Sequence, residues 1–336
     1  MRINWRIVFG LAVSVAALAL ILKNVSLTEL ASALTEANYL WLIPAGIVLL
    51  ISMWTRGLRW RALLDNRISP ARSFWIQNAG NLLNNVLPLR LGEFGRAYLA
   101  SRKSTLTTMQ SLSTVLIERL LDVLFVFAML MIVFPLVPRD SVLVRAGSIA
   151  AAAAFVAVAG LFVAAALREK VMKIARAVTG WIPQTVRENL LHRGDDFLSG
   201  VSAAGGRRLV AAILWSVVVW LGWAAASYFA LLAFEPGAPW YVAVFVTCAM
   251  ALSLSVPSSP SGAGLYEAAA VAALAVFSIP ADTALAYAIV LHLFSFTLIA
   301  VFGTVGLDRE GESFKHLTAS AQAMIASARN APSSAE

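Results

Sequence analysis

Several apolar runs in the chain are long enough to cross a membrane, and they constrain the fold more than any other feature. A helix needs about 20 residues to span the roughly 30 Å hydrocarbon core of a bilayer. Charged residues make up only 13% of the 336, and apolar residues 60%, so the runs lack the polar faces of a soluble helical core. The pattern predicts an all-α, polytopic helical membrane protein. The predicted spans are 5–22, 39–55, 111–134, 146–167, 209–234 and 283–306.

Two further apolar regions, 74–104 and 240–278, are interrupted by proline, glycine and polar residues. Backbone groups in lipid need hydrogen-bond partners, so each interruption must be buried in protein or line a wet cavity. We interpret both regions as broken or re-entrant helices, which brings the total to about eight membrane segments. Region 240–278 is also compatible with two full spans, and the sequence leaves this choice open.

Arginine and lysine collect in two segments between the predicted spans, 56–72 and 168–208. Cytoplasmic loops of membrane proteins are enriched in these residues. The bias predicts a multi-pass membrane protein with both termini in the cytoplasm. It also explains the net charge of +8 without nucleic acid as a partner.

Segment 168–208 has apolar residues at helical spacing with basic residues between them. This pattern is typical of an amphipathic helix on the cytoplasmic surface, and it is equally compatible with an ordinary connector. The transmembrane domain is predicted to cover 1–307. The remaining residues, 308–336, are predicted to form a cytoplasmic tail that is partly disordered.

The two interruptions are similar to each other. PLRLGE runs from Pro88 to Glu93, and PSGAGLYE runs from Pro260 to Glu267. Each has a proline, then glycine, then a glutamate where the helix resumes. With the first opening from the cytoplasm and the second from outside, this pattern is expected of an inverted repeat with a site between two broken helices.

A helix that restarts after such a break has free backbone N–H groups and the positive end of its dipole, which together attract phosphate. Arg90 and Arg96 add planar donors for phosphate oxygens. Glu93 and Glu267 can steer the arginines, bind a headgroup amine or take up protons. The residues assigned to the helix breaks are Asn84, Pro88, Gly92, Pro257, Pro260, Gly262 and Gly264.

A third polar group, Glu118, Arg119 and Asp122, lies inside the apolar span 111–134. Each charge in a membrane costs roughly 2.5–3.5 kcal/mol on insertion scales. Arg119 precedes Asp122 by three residues, a spacing at which helix side chains can pair. The group therefore predicts mutual pairing or a water-filled cavity.

Three stretches resemble the signatures of a known family. NNVLPLRLGEFGR (84–96), ERLLD (118–122) and PSSPSGAGLYE (257–267) are similar to the motifs of the flippase-like transmembrane region of lysylphosphatidylglycerol synthases, with Ser261 where a glycine is common. The resemblance implies a module with re-entrant helices that moves lipids between leaflets, in the cytoplasmic (inner) membrane of a prokaryote. The aminoacyl-transferase domain of the synthases is not expected in the residues after 307. The substrate-binding residues implied are Arg90, Glu93, Arg96, Glu118, Arg119, Asp122 and Glu267.

The leading hypothesis is a flippase for an anionic or aminoacylated phospholipid, or for a polyprenyl-phosphate lipid. One alternative is a non-transporting membrane partner of an enzyme of envelope lipid or glycan synthesis. The protein partners expected are a second copy of the chain, in a homo-oligomer, or such an enzyme. Another alternative is an intramembrane serine hydrolase, because Ser261 lies in SPSG and His292 follows about thirty residues later. The first two hypotheses involve no catalytic residue, and no metal or cofactor is expected, since the sequence has no phosphate-loop or metal-ligand motif.

Overall fold

The computed structural model describes most of the chain, with gaps at the start, at both predicted breaks and at the end. The described residues are 14–17, 19, 25–87, 91–138, 142–181, 183, 184, 187, 188, 191, 195, 198, 205–254 and 259–312. Within these ranges the chain forms helices and turns, and no strand. Residues 14–17 are helical. The longer helices are α1 (Leu27–Glu36), α2 (Leu42–Leu63), α3 (Pro70–Val86), α4 (Leu91–Arg102), α5 (Thr108–Val133), α6 (Val142–Ala166), α7 (Arg168–Val178), α8 (Arg207–Leu232), α9 (Trp240–Ser253), α10 (Leu265–Ala275) and α11 (Ala281–Arg309).

Four helical stretches are long and apolar enough to cross a membrane. They are Tyr39–Leu63, Gln110–Leu136, Arg207–Leu232 and Ala281–Arg309. A fifth is obtained if Ala151–Ala166 and Arg168–Trp181, which meet at 100°, are counted as one bent span. The all-helical membrane fold is confirmed, with four or five candidate spans. The predicted span 5–22 lies almost wholly outside the described residues, and the two broken regions form shorter helices.

The outer faces of the long helices are apolar. Ile132 on α5, Leu214 on α8 and Leu293 on α11 are each more than 60% exposed. Apolar faces of this extent are rare on soluble monomers and are the normal surface of a helix that contacts lipid.

The helices α3 and α4 form a hairpin, which we call hairpin 1. Arg72, near the start of α3, pairs with Glu310 (Nε to Oε1, 3.5 Å), and Arg102, at the end of α4, pairs with Glu312 (Nη1 to Oε1, 3.5 Å). Both open ends of the hairpin therefore lie beside the end of α11. Residues 88–90, between the two helices in sequence, lie outside the described residues.

The helices α9 and α10 form a second hairpin, hairpin 2. Phe277, which follows α10, packs against Tyr241 and Phe245 in α9, with ring centroids 6.0 and 5.6 Å apart. The start of α9 and the end of α10 are thus side by side, and the tip lies at the far end. At that tip the turn Pro260–Gly262 contacts α3 of hairpin 1.

The long helix α8 places the two hairpins in opposite directions. Arg208, at its start, pairs with Asp65 just after α2 (Nη2 to Oδ2, 2.7 Å). Because α3 follows within a few residues, α8 begins on the side where hairpin 1 opens. It ends on the other side, where Asn38 N–H donates to the Ala233 carbonyl at 2.9 Å and where α9 soon begins.

Two apolar cores hold these hairpins. One surrounds hairpin 1 and includes Trp60, Ile76 and Leu99. The other surrounds hairpin 2 and includes Val246, Leu274 and Tyr287. Cys248 is fully buried in a third core between α5, α8 and α9.

The helix α7 carries the amphipathic pattern of segment 168–208. Ile174, Val178 and Trp181 are 63%, 64% and 83% exposed. Arg168 makes a two-pronged ion pair with Asp195, with N–O distances of 2.5 and 2.6 Å. An exposed apolar stripe beside basic residues is the pattern of a helix that lies on a membrane surface.

Candidate functional site

Four arginines and three carboxylates meet between α2, α4 and α5, in a group that we call the charge cluster. Its members are Arg56, Arg59, Glu93, Arg96, Glu118, Arg119 and Asp122. The arginines of α2 are three residues apart, and so are the charged pair of α4. Since residues three or four apart share a helix face, each helix turns its charges toward the same point.

Glu118 is the centre of the charge cluster. Its Oε1 accepts hydrogen bonds from Arg59 Nη2 at 2.8 Å and from Arg56 Nε at 3.3 Å, and its Oε2 accepts one from Arg96 Nη1 at 2.8 Å. The side chains of Glu118 and Arg59 are fully buried, and that of Arg96 is 2% exposed. Desolvation costs several kcal/mol per ion at this depth, so the fold depends on each of these pairs.

Asp122 and Arg119 extend the cluster along α5. Arg59 Nη1 lies 2.7 Å from Asp122 Oδ1, and Arg119 Nη1 lies 3.3 Å from Asp122 Oδ2. Arg119 Nε also reaches Glu93 Oε1 at 2.9 Å. The i,i+3 pair expected from the sequence is therefore present, as one link in a chain of ion pairs from α4 to α2.

Neutral polar and aromatic groups surround the charges. Ser216 Oγ lies 3.2 Å from Arg59 Nη1, and Trp220 Nε1 donates to Asp122 Oδ1 at 3.3 Å, both from α8. Arg96 donates to Gln77 of α3 and lies over the ring of Trp60, 5.0 Å from its centroid. Five helices thus contribute to one polar site inside an otherwise apolar bundle.

One edge of the charge cluster is open. The side chains of Arg119, Glu93, Arg56 and Asp122 are 27%, 18%, 17% and 16% exposed, whereas Glu118 and Arg59 are at zero. A purely structural ion network gains nothing from an open edge, while a binding site needs one.

The charge cluster has an excess of positive charge. Its four guanidinium groups face three carboxylates, which leaves a net charge of +1. Among the described residues, Arg59 Nε and Arg96 Nη2 are buried and have no hydrogen-bond partner. Buried donors without partners are costly, so an anionic ligand would be favoured here. Arg90 and Pro88, the other predicted members of this region, lie outside the described residues.

The structure corrects the sequence interpretation of Arg56 and Arg59. The pattern ends the predicted span at residue 55 and places both arginines in a loop, whereas α2 continues to Leu63 and turns both of them inward. The carboxylates of α5 make this possible because they neutralise the buried guanidinium groups. No local signal marks this, because hydropathy treats these arginines as a loop signal whether or not carboxylates on another helix neutralise them.

Glu267 lies apart from the charge cluster. Its Oε2 accepts the N–H of Gly264 at 2.6 Å, and its Oε1 lies 2.7 Å from His292 Nδ1. It forms no ion pair with the cluster arginines. The expected balancing of the arginines is thus carried by Glu93, Glu118 and Asp122.

Left-handed backbone forms the tip of hairpin 2. After Pro260, the residues Ser261, Gly262 and Gly264 have φ of 59°, 77° and 86°. A Cβ on Gly264 would lie 2.6 Å from the carbonyl oxygen of Ser14. The left-handed region costs a residue other than glycine roughly 1–2 kcal/mol, which explains why glycine suits the position of Ser261. Pro257 lies outside the described residues.

Close packing, and not backbone conformation, requires Gly92 in hairpin 1. A Cβ there would overlap the carbonyl oxygen of Gly80 and lie 2.7 Å from Asn84 Oδ1. Among the described residues, Asn84 Oδ1 has no hydrogen-bond partner.

A large groove lies between α5, α6 and hairpin 2. Its volume is about 1540 Å³, above the roughly 300–1,000 Å³ usual for small-molecule pockets. Phe127, Leu130 and Phe245 are typical of its apolar lining, and Glu235 is its charged residue. On α5, the groove begins five residues, or about 7.5 Å, beyond Asp122.

These features define a class: a polytopic helical membrane protein in which two short-helix hairpins meet beside a buried charge cluster. Within the described residues, no group of three or more His, Cys, Asp or Glu side chains is placed to hold a metal ion. The chain belongs to the family of the lysylphosphatidylglycerol synthase TM region, whose model matches residues 7–303. No curated protein and no solved structure matches the chain.

Proposed function

We propose that this protein is a flippase that moves the headgroup of an anionic or aminoacylated phospholipid, or of a polyprenyl-phosphate lipid, between membrane leaflets. The charge cluster would hold the phosphate during the crossing. Membership of a family named for the membrane region of a phospholipid synthase supports a lipid as substrate.

The observation that carries this proposal is the state of the charge cluster. It has a net positive charge, one open edge and buried guanidinium N–H groups without partners among the described residues. Arginine suits phosphate because its planar donors match two phosphate oxygens at once. Charges in membrane helices that face an open cavity are associated with substrate pathways.

The two hairpins support an alternating path. Each has both ends on one side, they open in opposite directions, and the tip of hairpin 2 contacts α3 of hairpin 1. Helices of 12 and 11 residues, as in α4 and α10, are about 18 and 17 Å long and do not cross a bilayer alone. We therefore interpret both hairpins as re-entrant, with the site between them.

The apolar groove supports a place for the lipid tails. Aliphatic and aromatic side chains line it, and it lies along the same helix, α5, that carries Glu118 and Asp122. A lipid with its headgroup in the charge cluster can keep its tails in such a groove or in the bilayer.

The orientation follows from the basic residues. Arg61, Arg67, Arg102, Lys103 and Arg309 lie at the side where hairpin 1 opens. By the positive-inside rule we assign this side to the cytoplasm of a prokaryotic inner membrane.

Reconstitution into vesicles tests the function. Labelled phosphatidylglycerol is expected to move between leaflets with the natural protein, and Arg119→Gln is expected to slow this about tenfold or more because a charge-assisted contact to phosphate is lost. Arg72→Gln is the matched control, since Arg72 is 45% exposed and pairs with Glu310 away from the cluster. Equal rates for all three proteins, with both variants folded, would remove the charge cluster from the pathway.

One observation favours the second candidate, a non-transporting partner of an envelope enzyme. All three carboxylates of the charge cluster already have arginine partners, as in a network that only locks the fold. In that case no lipid would move in vesicles, and an enzyme would co-purify with the protein.

The serine hydrolase has no such support: Ser261 and His292 share no hydrogen bond, and His292 Nδ1 is bonded to Glu267.

A further inference from the structure

A carboxylate–imidazole pair lies inside the bundle, apart from the charge cluster. Glu267 begins the helix after the tip of hairpin 2, and His292 lies on α11, eleven residues or about 16 Å from its start. The depth corresponds to the interior of a membrane-spanning helix and not to its ends. Ionisable groups at such a depth are commonly parts of proton or ion pathways.

Both oxygens of Glu267 are engaged, each by a different element. Oε1 bonds to His292 Nδ1 at 2.7 Å, and Oε2 accepts the N–H of Gly264 at 2.6 Å. Glu267 therefore joins the left-handed turn at the tip of hairpin 2 to α11. The side chains of Glu267 and His292 are 10% and 15% exposed, so the pair is largely but not completely buried.

The pair connects physically to the charge cluster. The turn Pro260–Gly262, just before Gly264, packs on α3. The same helix carries Gln77, which accepts a hydrogen bond from Arg96. A change at Glu267 thus has a contiguous route of contacts to the proposed headgroup site.

Few other ionisable groups face the pair. The ring of Tyr266 lies 4.5 Å from the His292 ring, and Tyr287 on α11 is bonded to Ser227 of α8 at 2.6 Å. The helix α3, which contacts the turn, carries side-chain amides, and its one ionisable residue, Arg72, lies at its far end. Residues 255–258 contain no ionisable side chain.

We propose that Glu267 and His292 form the proton-binding site that couples a transmembrane proton gradient to movement of the tip of hairpin 2. This inference rests on the proposed flippase function and adds its energy source. A proton from water binds His292 Nε2, and the proton on Nδ1 passes to Glu267 Oε1. Neutral imidazole remains, with its proton now on Nε2. Release of the Glu267 proton to the other side, followed by return of the imidazole proton from Nε2 to Nδ1 through water, restores the starting state, so one proton crosses per cycle.

The transfer acts on the turn through the Gly264 hydrogen bond. An ionised carboxylate is about twice as strong an acceptor as a neutral group, so protonation of Glu267 weakens its hold on the Gly264 N–H. The left-handed residues at 261, 262 and 264 are then stabilised less in this conformation, because the hydrogen bond that holds the turn is weaker. Each proton thus loosens the tip that touches α3.

The test is flipping of labelled phosphatidylglycerol in proteoliposomes with and without an imposed pH difference. For the natural protein we expect flipping to be about five times faster or more with the pH difference than without it, which is the lower range of allosteric coupling. Glu267→Gln, which keeps an acceptor for Gly264, and His292→Gln are expected to bring this ratio to one. Tyr287→Phe, on the same helix, is the control and is expected to keep it. A ratio of one in the natural protein, or an unchanged ratio in Glu267→Gln, would overturn the inference, whereas absence of all flipping would overturn the proposed function.

A second readout does not depend on flipping. In a chain with Cys248→Ala, a cysteine that replaces the exposed Ala263 reports the conformation of the tip through its rate of alkylation. Dividing by the rate for a free thiol at the same pH corrects for the pH dependence of alkylation itself. The corrected rate is expected to change about fivefold or more as the pair takes up its proton, and to stay flat with pH in Glu267→Gln. A corrected rate that does not change with pH in the chain that keeps Glu267 would contradict the coupling.

Discussion

At the scale of single residues, Glu118 is the carboxylate on which three arginines of the charge cluster depend. Glu118→Gln is expected to destabilise the protein by about 3–5 kcal/mol, because it leaves buried guanidinium charge without compensation. Thermal unfolding in detergent measures this. Asp308→Asn, at an exposed carboxylate near the end of α11, is expected to change stability by less than about 0.5 kcal/mol. Similar losses in both variants would contradict the central place of Glu118.

Ser261 allows a second test at this scale. Ser261→Gly is expected to preserve fold and function, because glycine relieves the left-handed strain of φ 59°. Ser261→Val is expected to lower the melting temperature, since a β-branched residue is poorly tolerated there. A loss of function in Ser261→Gly with an intact fold would instead indicate a chemical role for the hydroxyl.

Predictability at the residue scale depended on sequence distance. The Arg119–Asp122 pair follows from helical spacing alone. The contacts of Arg59 with Glu118 and of Glu267 with His292 join residues 59 and 25 positions apart, and no local rule brings them together.

At the scale of helices, Gly92 allows hairpin 1 to close. Gly92→Ala is expected to destabilise the protein by about 1–3 kcal/mol or more, because its Cβ would overlap the carbonyl of Gly80. Gly160→Ala in α6 is the matched control: nothing lies within 4 Å of its Cβ, so it is expected to be neutral or slightly stabilising. The melting temperatures of the two variants measure these effects. An equal change in melting temperature for both would contradict the packing of α3 on α4.

The attachment of the short helix α1 is predicted to depend on pH. Hydrogen bonding to Asp282, and then the negative charge of Asp282, raises the pKa of Glu29 above its ordinary value. The folded state therefore binds this proton more tightly than the unfolded state, so attachment is strongest below the ordinary carboxyl pKa and weakens as pH rises through the raised value. Hydrogen-exchange protection of residues 27–36 is expected to fall over that range in the natural protein but not in Glu29→Gln. Protection that rises with pH would contradict the sign.

Helix boundaries were predictable where proline and glycine mark them. The breaks expected near residues 88 and 260 separate α3 from α4 and α9 from α10. The end of α2 was not predictable in this way, because hydropathy treats an arginine as a loop signal whether or not a carboxylate on another helix neutralises it. The length of α2 is thus a tertiary property.

At the scale of the whole molecule, the topology makes the two hairpins open on opposite sides. In a Cys248→Ala chain, a cysteine at exposed position 103 is expected to react with an impermeant reagent only from the cytoplasm, and one at exposed position 237 only from outside. Labelling of intact cells and of inverted vesicles measures this. Reaction of both cysteines from the same side would contradict the arrangement.

The class of fold was predictable from the apolar runs, while the number of crossings was not. Composition identifies lipid-facing helices because it reports solvent preference directly. Whether a broken apolar region crosses or returns depends on which helix its ends pack against, here the pairs of Arg72 and Arg102 with the end of α11.

The most direct test of the account is the movement of a labelled phospholipid in vesicles that contain the purified protein. An impermeant quencher reaches only the outer leaflet of protein-free vesicles. With the protein present, we predict that the quencher also removes the signal of the inner-leaflet label over time, and that Arg119→Gln slows this while Arg72→Gln does not. Persistent protection of the inner-leaflet label for every headgroup of the proposed classes would contradict translocation.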